Sequence, residues 1–296
     1  MASHPIDDFL SELDNIYRHY DAFIASLPCS LQRLAGSEKR LSARMMNRMF
    51  LLFPFWFMDG LGLSYETCRG IACGNAYGLL HYLILDWIID ADEGLSSEWL
   101  LLGDLFYAQA IQGYLSVIPA GAMDHWWAYM RQAMIQHTQG GLMEKGRYKV
   151  EDEYTDPEIL LMLRGAMFQI CGYTLALASS REKVGPALAR AIDCFNAGFT
   201  ILDDLQDWQQ DSQHGLCFNA VLRLAAFGQD GNLSWQHIDA ALEKSHAYLI
   251  EAKRCVAHLN AHYWNIFLDH FIEEARLLKN KLTRQLYQNV IVQRKV

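Results

Sequence analysis

The chain has 296 residues, 52% of them hydrophobic, and carries 34 acidic against 25 basic side chains for a formal net charge of −9. That length and apolar content are ample for a packed core, and the acidic balance excludes the basic footprint a nucleic-acid binder needs. Seven cysteines, odd in number and without Cys-x-x-Cys spacing, read as free thiols in a reducing cytoplasm rather than as a disulfide framework.

The apolar periodicity predicts an amphipathic helix over residues 6–27, stopped by Pro28, and then a polar connector around Gly36-Ser37-Glu38. A second helix is expected over about 39–57, bent or ended at Pro54, with Asp59-Gly60-Leu61-Gly62 as a turn. The longest uninterrupted apolar run, 49–58, is too short to span a bilayer and contains Pro54, so no transmembrane segment is expected, and the chain does not open on a signal-peptide pattern. Ser64 reads as the cap of a long apolar helix closed by Asp92 to Gly94. Near its end Asp86, Asp90 and Glu93 are spaced i, i+4, i+7 and share one face, which Asp92 does not. Carboxylates embedded beside Tyr82-Leu83-Ile84-Leu85 are costly to bury unless something pairs with them.

Further helices follow, from Ser96-Ser97-Glu98 to before Pro119 and over 122–137. Residues 138–155, with Gly140, Gly141 and Gly146 among charged side chains, read as a mobile connector or lid. Asp156-Pro157 restarts a helix running to about Ser180 through Arg164-Gly165. Pro186 begins the next, and helices near 216–227, 234–258 and 261–290 complete the chain. No internal repeat and no useful strand-period stretch is found.

The helix after Pro186 carries the most informative residues. Asp203, Asp204, Asp207 and Asp211 fall within one quadrant of a helix advancing about 100° per residue. Like charges so placed repel, so a counter-cation is the natural explanation, and oxygen-only ligands suit a hard ion such as Mg2+. A solvated acidic face is the plainer reading for a single such run. Two acidic helix faces, one around Asp86 and one around Asp203, instead suggest a bundle that converges them on a metal cluster able to hold a diphosphate.

At these residues the sequence resembles the class I isoprenoid synthases, the superfamily of prenyl diphosphate synthases, squalene and phytoene synthases and terpene cyclases. Phe199, Ile201, Asp203, Asp204, Asp207, Asp211 and Gly215 look like the second aspartate-rich motif of the trans-prenyl synthases, with Thr200 in place of the usual Gln and Leu216 in place of the Lys that commonly follows the Gly. The first motif, Asp-Asp-x-x-Asp in the family, becomes Asp86-Trp87-x-x-Asp90. The resemblance implies an all-α, single-domain helical bundle over residues 1–296 around a central cavity. It also implies three Mg2+ ions held by Asp86, Asp90, Asp203, Asp204 and Asp207, with Asp86 and Asp90 bridging two of them. A homodimer is a further expectation, since dimers are common in the superfamily.

The implied chemistry is Mg2+-assisted departure of diphosphate from a linear prenyl diphosphate, farnesyl, geranylgeranyl or longer. Asp86, Asp90, Asp203 and Asp207 would carry it. Leu79, Tyr82 and Leu83 below Asp86, with Asn196, Phe199 and Thr200 below Asp203, would wall an apolar pocket. Tyr82, Phe199 and Phe168 are the candidates to stabilise a carbocation by their ring faces. Arg164 stands about where related enzymes place a Lys-Thr pair on the diphosphate, although an exposed arginine on an amphipathic helix explains it equally well. Arg284 and Tyr287 rank lower. His258 and His262 read as a polar helix face, and Trp126-Trp127 as core.

Elongating synthases usually carry a Gly-Gly-Lys-Arg-like stretch and an Arg-Arg-Gly after the first motif, whereas Glu93-Gly94-Leu95-Ser96 follows it here. The expectation is therefore a class I terpene cyclase, with a chain-elongating or head-to-head prenyltransferase as the runner-up. A non-catalytic helical partner subunit is the reading of another class, motivated by Trp87.

Overall fold

Residues 6–37, 48–89, 98–144, 162–163, 165–214, 219, 221 and 234–293 are described by the structure, a computed structural model, and every regular element among them is helical. Leu13, Ile16, Tyr17 and Tyr20 form the buried stripe of α1 (Leu10–Ser26), entered through a 3-10 turn at Asp7–Phe9. Leu27 then turns extended, with ψ at 158°, as the residue before a proline must. Pro28 does more than end α1. Its carbonyl accepts the Leu31 and Gln32 N–H groups, and α2 (Cys29–Ser37) begins at once where the sequence marked only a stop.

Next, α3 (Arg48–Trp56) keeps Pro54 inside it, two residues from its end. The expected turn is a single-turn helix, α4 (Met58–Leu61), closed by Gly62 at φ 66°, a left-handed conformation that favours glycine. Ser64 caps α5 (Tyr65–Ile89) as predicted, its Oγ accepting the Thr67 N–H at 3.1 Å. Then come α6 (Glu98–Leu115), α7 (Met123–Glu144), α8 (Gln169–Ala178), α9 (Gly185–His214), α10 (Trp235–Cys255) and α11 (His262–Gln293).

Two expected boundaries move. The connector placed at 138–155 starts later, because α7 runs on through Gly140 and Gly141 to Glu144, and Gly140 is buried. A buried glycine in mid-helix serves packing, and its propensity penalty of about 1 kcal/mol is outweighed there. Conversely, the helix expected over 156–180 is interrupted. Residues 162–163 are helical, Gly165 is a turn, Ala166–Phe168 is a 3-10 turn, and α8 starts only at Gln169. The helix expected near 216–227 lies outside the described residues, apart from residues 219 and 221.

The chain groups into two compact units. The first comprises Met1–Trp126, Tyr173–Gly185 and Leu259–Tyr263, and the second Trp127–Gly172, Pro186–His258 and Trp264–Val296. In the first, the Phe9 ring lies 5.0–5.4 Å from those of Phe55, Trp56 and Tyr263. There α5 and α6 touch backbone to backbone: a Cβ on Gly113 would stand 2.8 Å from the Gly74 nitrogen. In the second, Phe195, Phe199, Trp264, Phe267 and Phe271 join α9 to α11 with ring centroids 4.9–5.9 Å apart. Aromatic pairs of this kind contribute about 0.5–1.5 kcal/mol each beyond their burial. Behind them the Ser245 hydroxyl donates to the Gly198 carbonyl at 2.8 Å, seating α10 on α9.

Candidate active site

In the second unit, α9 sorts its residues by face. Phe195 and Phe199 point at α11, and Gly198 at α10. The remaining face carries Asp193, Asn196, Thr200, Asp203, Asp204 and Asp207 in order along the helix. Its lower end packs on the interrupted segment before α8, so the acidic motif stands above that interruption. Asp203 and Asp207 are exposed, while Asp204 is buried and Thr200 half-buried. The acidic turn is braced from behind: the buried Asn219 side chain donates to the Asp204 carbonyl at 2.9 Å. Nothing in the sequence marked Asn219, because a single Asn after a helix is ordinary loop chemistry.

In the first unit, α5 shows the same division. Tyr77, Leu80 and Ile84 are fully buried, whereas Leu79, Tyr82, Leu83 and Asp86 on another face are only half-buried. His81 locks the helix to α6, its Nδ1 lying 3.0 Å from the Gly103 carbonyl, a bond that requires the proton on Nδ1. Burial holds the His81 pKa below its ordinary value and so favours the neutral ring. A half-exposed apolar stripe leading up to a carboxylate is the surface expected of a pocket wall. A separate polar cleft of about 590 Å³, whose lining includes His19, Arg69, Tyr77 and Gln109, lies towards the other end of α5.

The interruption before α8 is held by two buried polar side chains that the sequence did not single out together. Asn196 Nδ2 lies 3.4 Å from the Gly165 carbonyl, and a Cβ on Gly165 would stand 2.7 Å from that nitrogen. One turn away the Gln169 amide donates to Asp193 Oδ2 at 3.0 Å. Burial raises the Asp193 carboxyl from 3.8 to about 7, against the opposing effects of the Gln169 bond and the Arg190 charge. Phe168, half-buried, closes the 3-10 turn beside them.

Of the residues expected at the site, Asp203, Asp204, Asp207 and Thr200 thus share one face of α9, and Asp86, Leu79, Tyr82 and Leu83 one face of α5. Phe199 packs its ring on Phe195 and Phe271. Asp90 and Arg164 lie outside the described residues, as do the side chains of Asp211 and Tyr287; Arg284 is exposed on α11. The α9 carboxylates are oxygen-only donors on one helix face, a set that fits a hard dication such as Mg2+. Among the described residues no three His, Cys, Asp or Glu side chains gather closely enough to hold a metal unaided. An ion bound here would complete its shell with other oxygens, water included, as Mg2+ commonly does.

No protein-family model matches the sequence, and no curated protein matches it. Solved structures do. The fold is the all-helical fold of the class I isoprenoid synthases. A geranylgeranyl pyrophosphate synthetase from the archaeon Geoglobus acetivorans superposes with a TM-score of 0.68 at 17% identity, over 91% of this chain and 98% of its own. A polyprenyl synthase from Caulobacter crescentus CB15, complexed with calcium and isoprenyl diphosphate, does so with a TM-score of 0.68 at 15% identity, over 92% and 96%. Similarity at that level of identity establishes the architecture. No helix among the described residues is long and apolar enough to cross a membrane.

Proposed function

We propose that the chain is a metal-dependent enzyme that ionises an allylic prenyl diphosphate. The observation that carries this reading is the acidic face of α9, two exposed and one buried carboxylate, in an architecture shared with prenyl diphosphate synthases. Bound Mg2+, three ions in this reading, would supply Lewis-acid stabilisation of the departing diphosphate. Asp86, Asp203, Asp204 and Asp207, with Asp90, are its proposed ligands, and Arg164 a proposed diphosphate contact. Leu79, Tyr82, Leu83, Phe168 and Thr200 would exclude water from the prenyl chain. Association into a homodimer belongs to the same proposal and is supported by the exposed Trp127, Met134, Ile135 and Leu142 along α7. A cytoplasmic location accords with the buried free thiols Cys68, Cys73, Cys171 and Cys194.

Two fates of the carbocation each have an observation behind them. Transfer to a second isoprenoid diphosphate is supported by both structural neighbours, whose names are those of prenyl diphosphate synthases. Cyclisation is supported by the sequence, which has Glu93-Gly94-Leu95-Ser96 where a cationic cradle for the second diphosphate is usual. The test is incubation of the purified chain with Mg2+ and geranyl, farnesyl, geranylgeranyl or geranylfarnesyl diphosphate, with and without isopentenyl diphosphate. Products that need isopentenyl diphosphate identify the transferase, and products from the allylic substrate alone the cyclase. Absence of diphosphate release under every condition would overturn the enzymatic reading in favour of a non-catalytic subunit.

A further inference from the structure

The polar cleft beside the α5–α6 crossing belongs wholly to the first unit, and its volume of about 590 Å³ lies within the range of small-molecule sites. Gly70 and Gly113 line it where the two helices approach most closely: a Cβ on Gly70 would stand 2.8 Å from Val117 Cγ1, and one on Gly113 2.8 Å from the Gly74 nitrogen. The cleft lies apart from the acidic motifs. Gly70 precedes Asp86 by sixteen residues, about 24 Å along the axis of α5.

Part of its polar lining is already engaged. The Tyr77 hydroxyl lies 3.1 Å from His19 Nδ1, Thr67 Oγ1 lies 2.9 Å from Ser64 Oγ, and the Ser116 hydroxyl donates to the Gly113 carbonyl at 2.7 Å. Arg69 gives Nε and Nη2 to Glu12, which leaves Nη1 unused among the described residues. Glu66, three positions earlier on α5, is near enough for its charge to act on the guanidinium, yet no ion pair joins them, since the guanidinium is turned to Glu12. Among the described residues the Glu66 carboxylate and the side-chain amides of Gln109 and Gln112 make no hydrogen bond.

One cationic edge, one carboxylate and two amides therefore line the same space without using one another. A dianion such as phosphate would meet the carboxylates of Glu12 and Glu66, and a simple ammonium would meet the Arg69 guanidinium. A molecule that carries one charge of each sign avoids both repulsions. Its carboxylate would accept from Arg69 Nη1 and its ammonium donate to Glu66, and charge-assisted hydrogen bonds of this kind are about twice as strong as neutral ones. Across the cleft the amides of Gln109 and Gln112, which both donate and accept, suit an amide or hydroxyl group. We propose that the cleft binds a small zwitterion of the amino-acid class with a polar, uncharged side chain, its charged groups on α5 and its side chain on α6.

The experiment is isothermal titration calorimetry on the full chain, with glutamine, asparagine and serine as probes at up to millimolar concentration. Succinate, which is only anionic, and putrescine, which is only cationic, are the comparison ligands. At least one of the amino acids is expected to bind saturably at one site per chain, and more tightly than either comparison ligand. Glu66→Gln is expected to weaken that binding about ten-fold or more, as loss of a charge-assisted hydrogen bond predicts. The double variant Gln109→Ala with Gln112→Ala is expected to weaken it as well. Glu66 and Gln112 are exposed and Gln109 is half-buried, and none of the three side chains is hydrogen-bonded among the described residues, so the variants are expected to stay folded, which circular dichroism checks. No saturable binding of any of the three amino acids overturns the inference. Equal or tighter binding of succinate or putrescine also overturns it, as does an unchanged affinity in either variant. The titration contains neither metal nor prenyl diphosphate, so each of these outcomes leaves the proposed function standing or falling on its own assay.

Discussion

Replacing Asp193 by Asn tests whether this carboxyl sits where ionisation is opposed. In the folded chain burial outweighs the Gln169 hydrogen bond and the Arg190 charge, and the carboxyl is raised from 3.8 to about 7. In the unfolded chain it is an ordinary carboxyl. Between about pH 4 and pH 7 the folded state therefore keeps a proton that the unfolded state has released, so stability falls as pH rises through that window and levels off above it. Each tenfold difference in proton affinity amounts to about 1.4 kcal/mol, which sets the full cost of the ionised form at about 4 kcal/mol. Asparagine preserves the acceptor for Gln169 and carries no charge. The Asp193→Asn variant is expected to match the wild type within about 1 kcal/mol at pH 4 and to exceed it by about 1–4 kcal/mol at pH 8. Thermal unfolding at the two pH values reads this as a rise of about 2–4 °C per kcal/mol, present only at the higher pH. Equal destabilisation at both would refute the reasoning, since it would mean that the carboxylate is charged and paired.

The metal reading makes its own demands. Asp86→Ala and Asp203→Ala are each expected to reduce diphosphate release by a factor of about 100 or more while helical circular dichroism persists, and chelation should abolish turnover until Mg2+ is restored. Gly165→Ala would force a Cβ against Asn196 and is expected to destabilise by about 1–3 kcal/mol, as overpacking does. The double variant with Asn196→Ala should recover part of that loss in urea titrations, and failure to recover any would place the strain elsewhere. Glu12 accepts two bonds from Arg69, at 2.8 and 3.0 Å, which hold its carboxyl below the usual range. That stability is present above about pH 4.5 and lost as pH falls through the lowered value, so Glu12→Gln should flatten the acid side of the stability profile. An unchanged profile would show the pair to be silent.

What could be read from the sequence followed from repetition of one signal. Asp203, Asp204 and Asp207 stood out because like charges on one helix face are destabilising and demand a cause. Ser64 and Gly62 were legible because a cap and a left-handed turn have few residue solutions. Asp193 was not legible, because its charge and spacing match those of an exposed polar face, and only the Gln169 partner on α8 reveals it as buried. The break at Gly165 escaped for the converse reason. Arg-Gly-Ala-Met is compatible with continuous helix, and the interruption depends on Asn196, a residue on another helix. In the same way Gly140 and Gly141 suggested a loop because local propensity is weak evidence against a buried packing position.

The contact between Gly74 and Gly113 makes a lever of α5. With the two backbones in contact, α5 and α6 can only tilt about that crossing, and Asp86 rides about 18 Å along the axis from the pivot. A tilt of about 3° at the glycines would carry the carboxylate through about 1 Å, a displacement that can cost about 100-fold in rate when it falls on a catalytic group. A methyl group added at Gly113, far along the helices from Asp86, should therefore, on the role proposed for Asp86, register first in catalysis, as a helix that is still folded but aims its carboxylate at the wrong point in space.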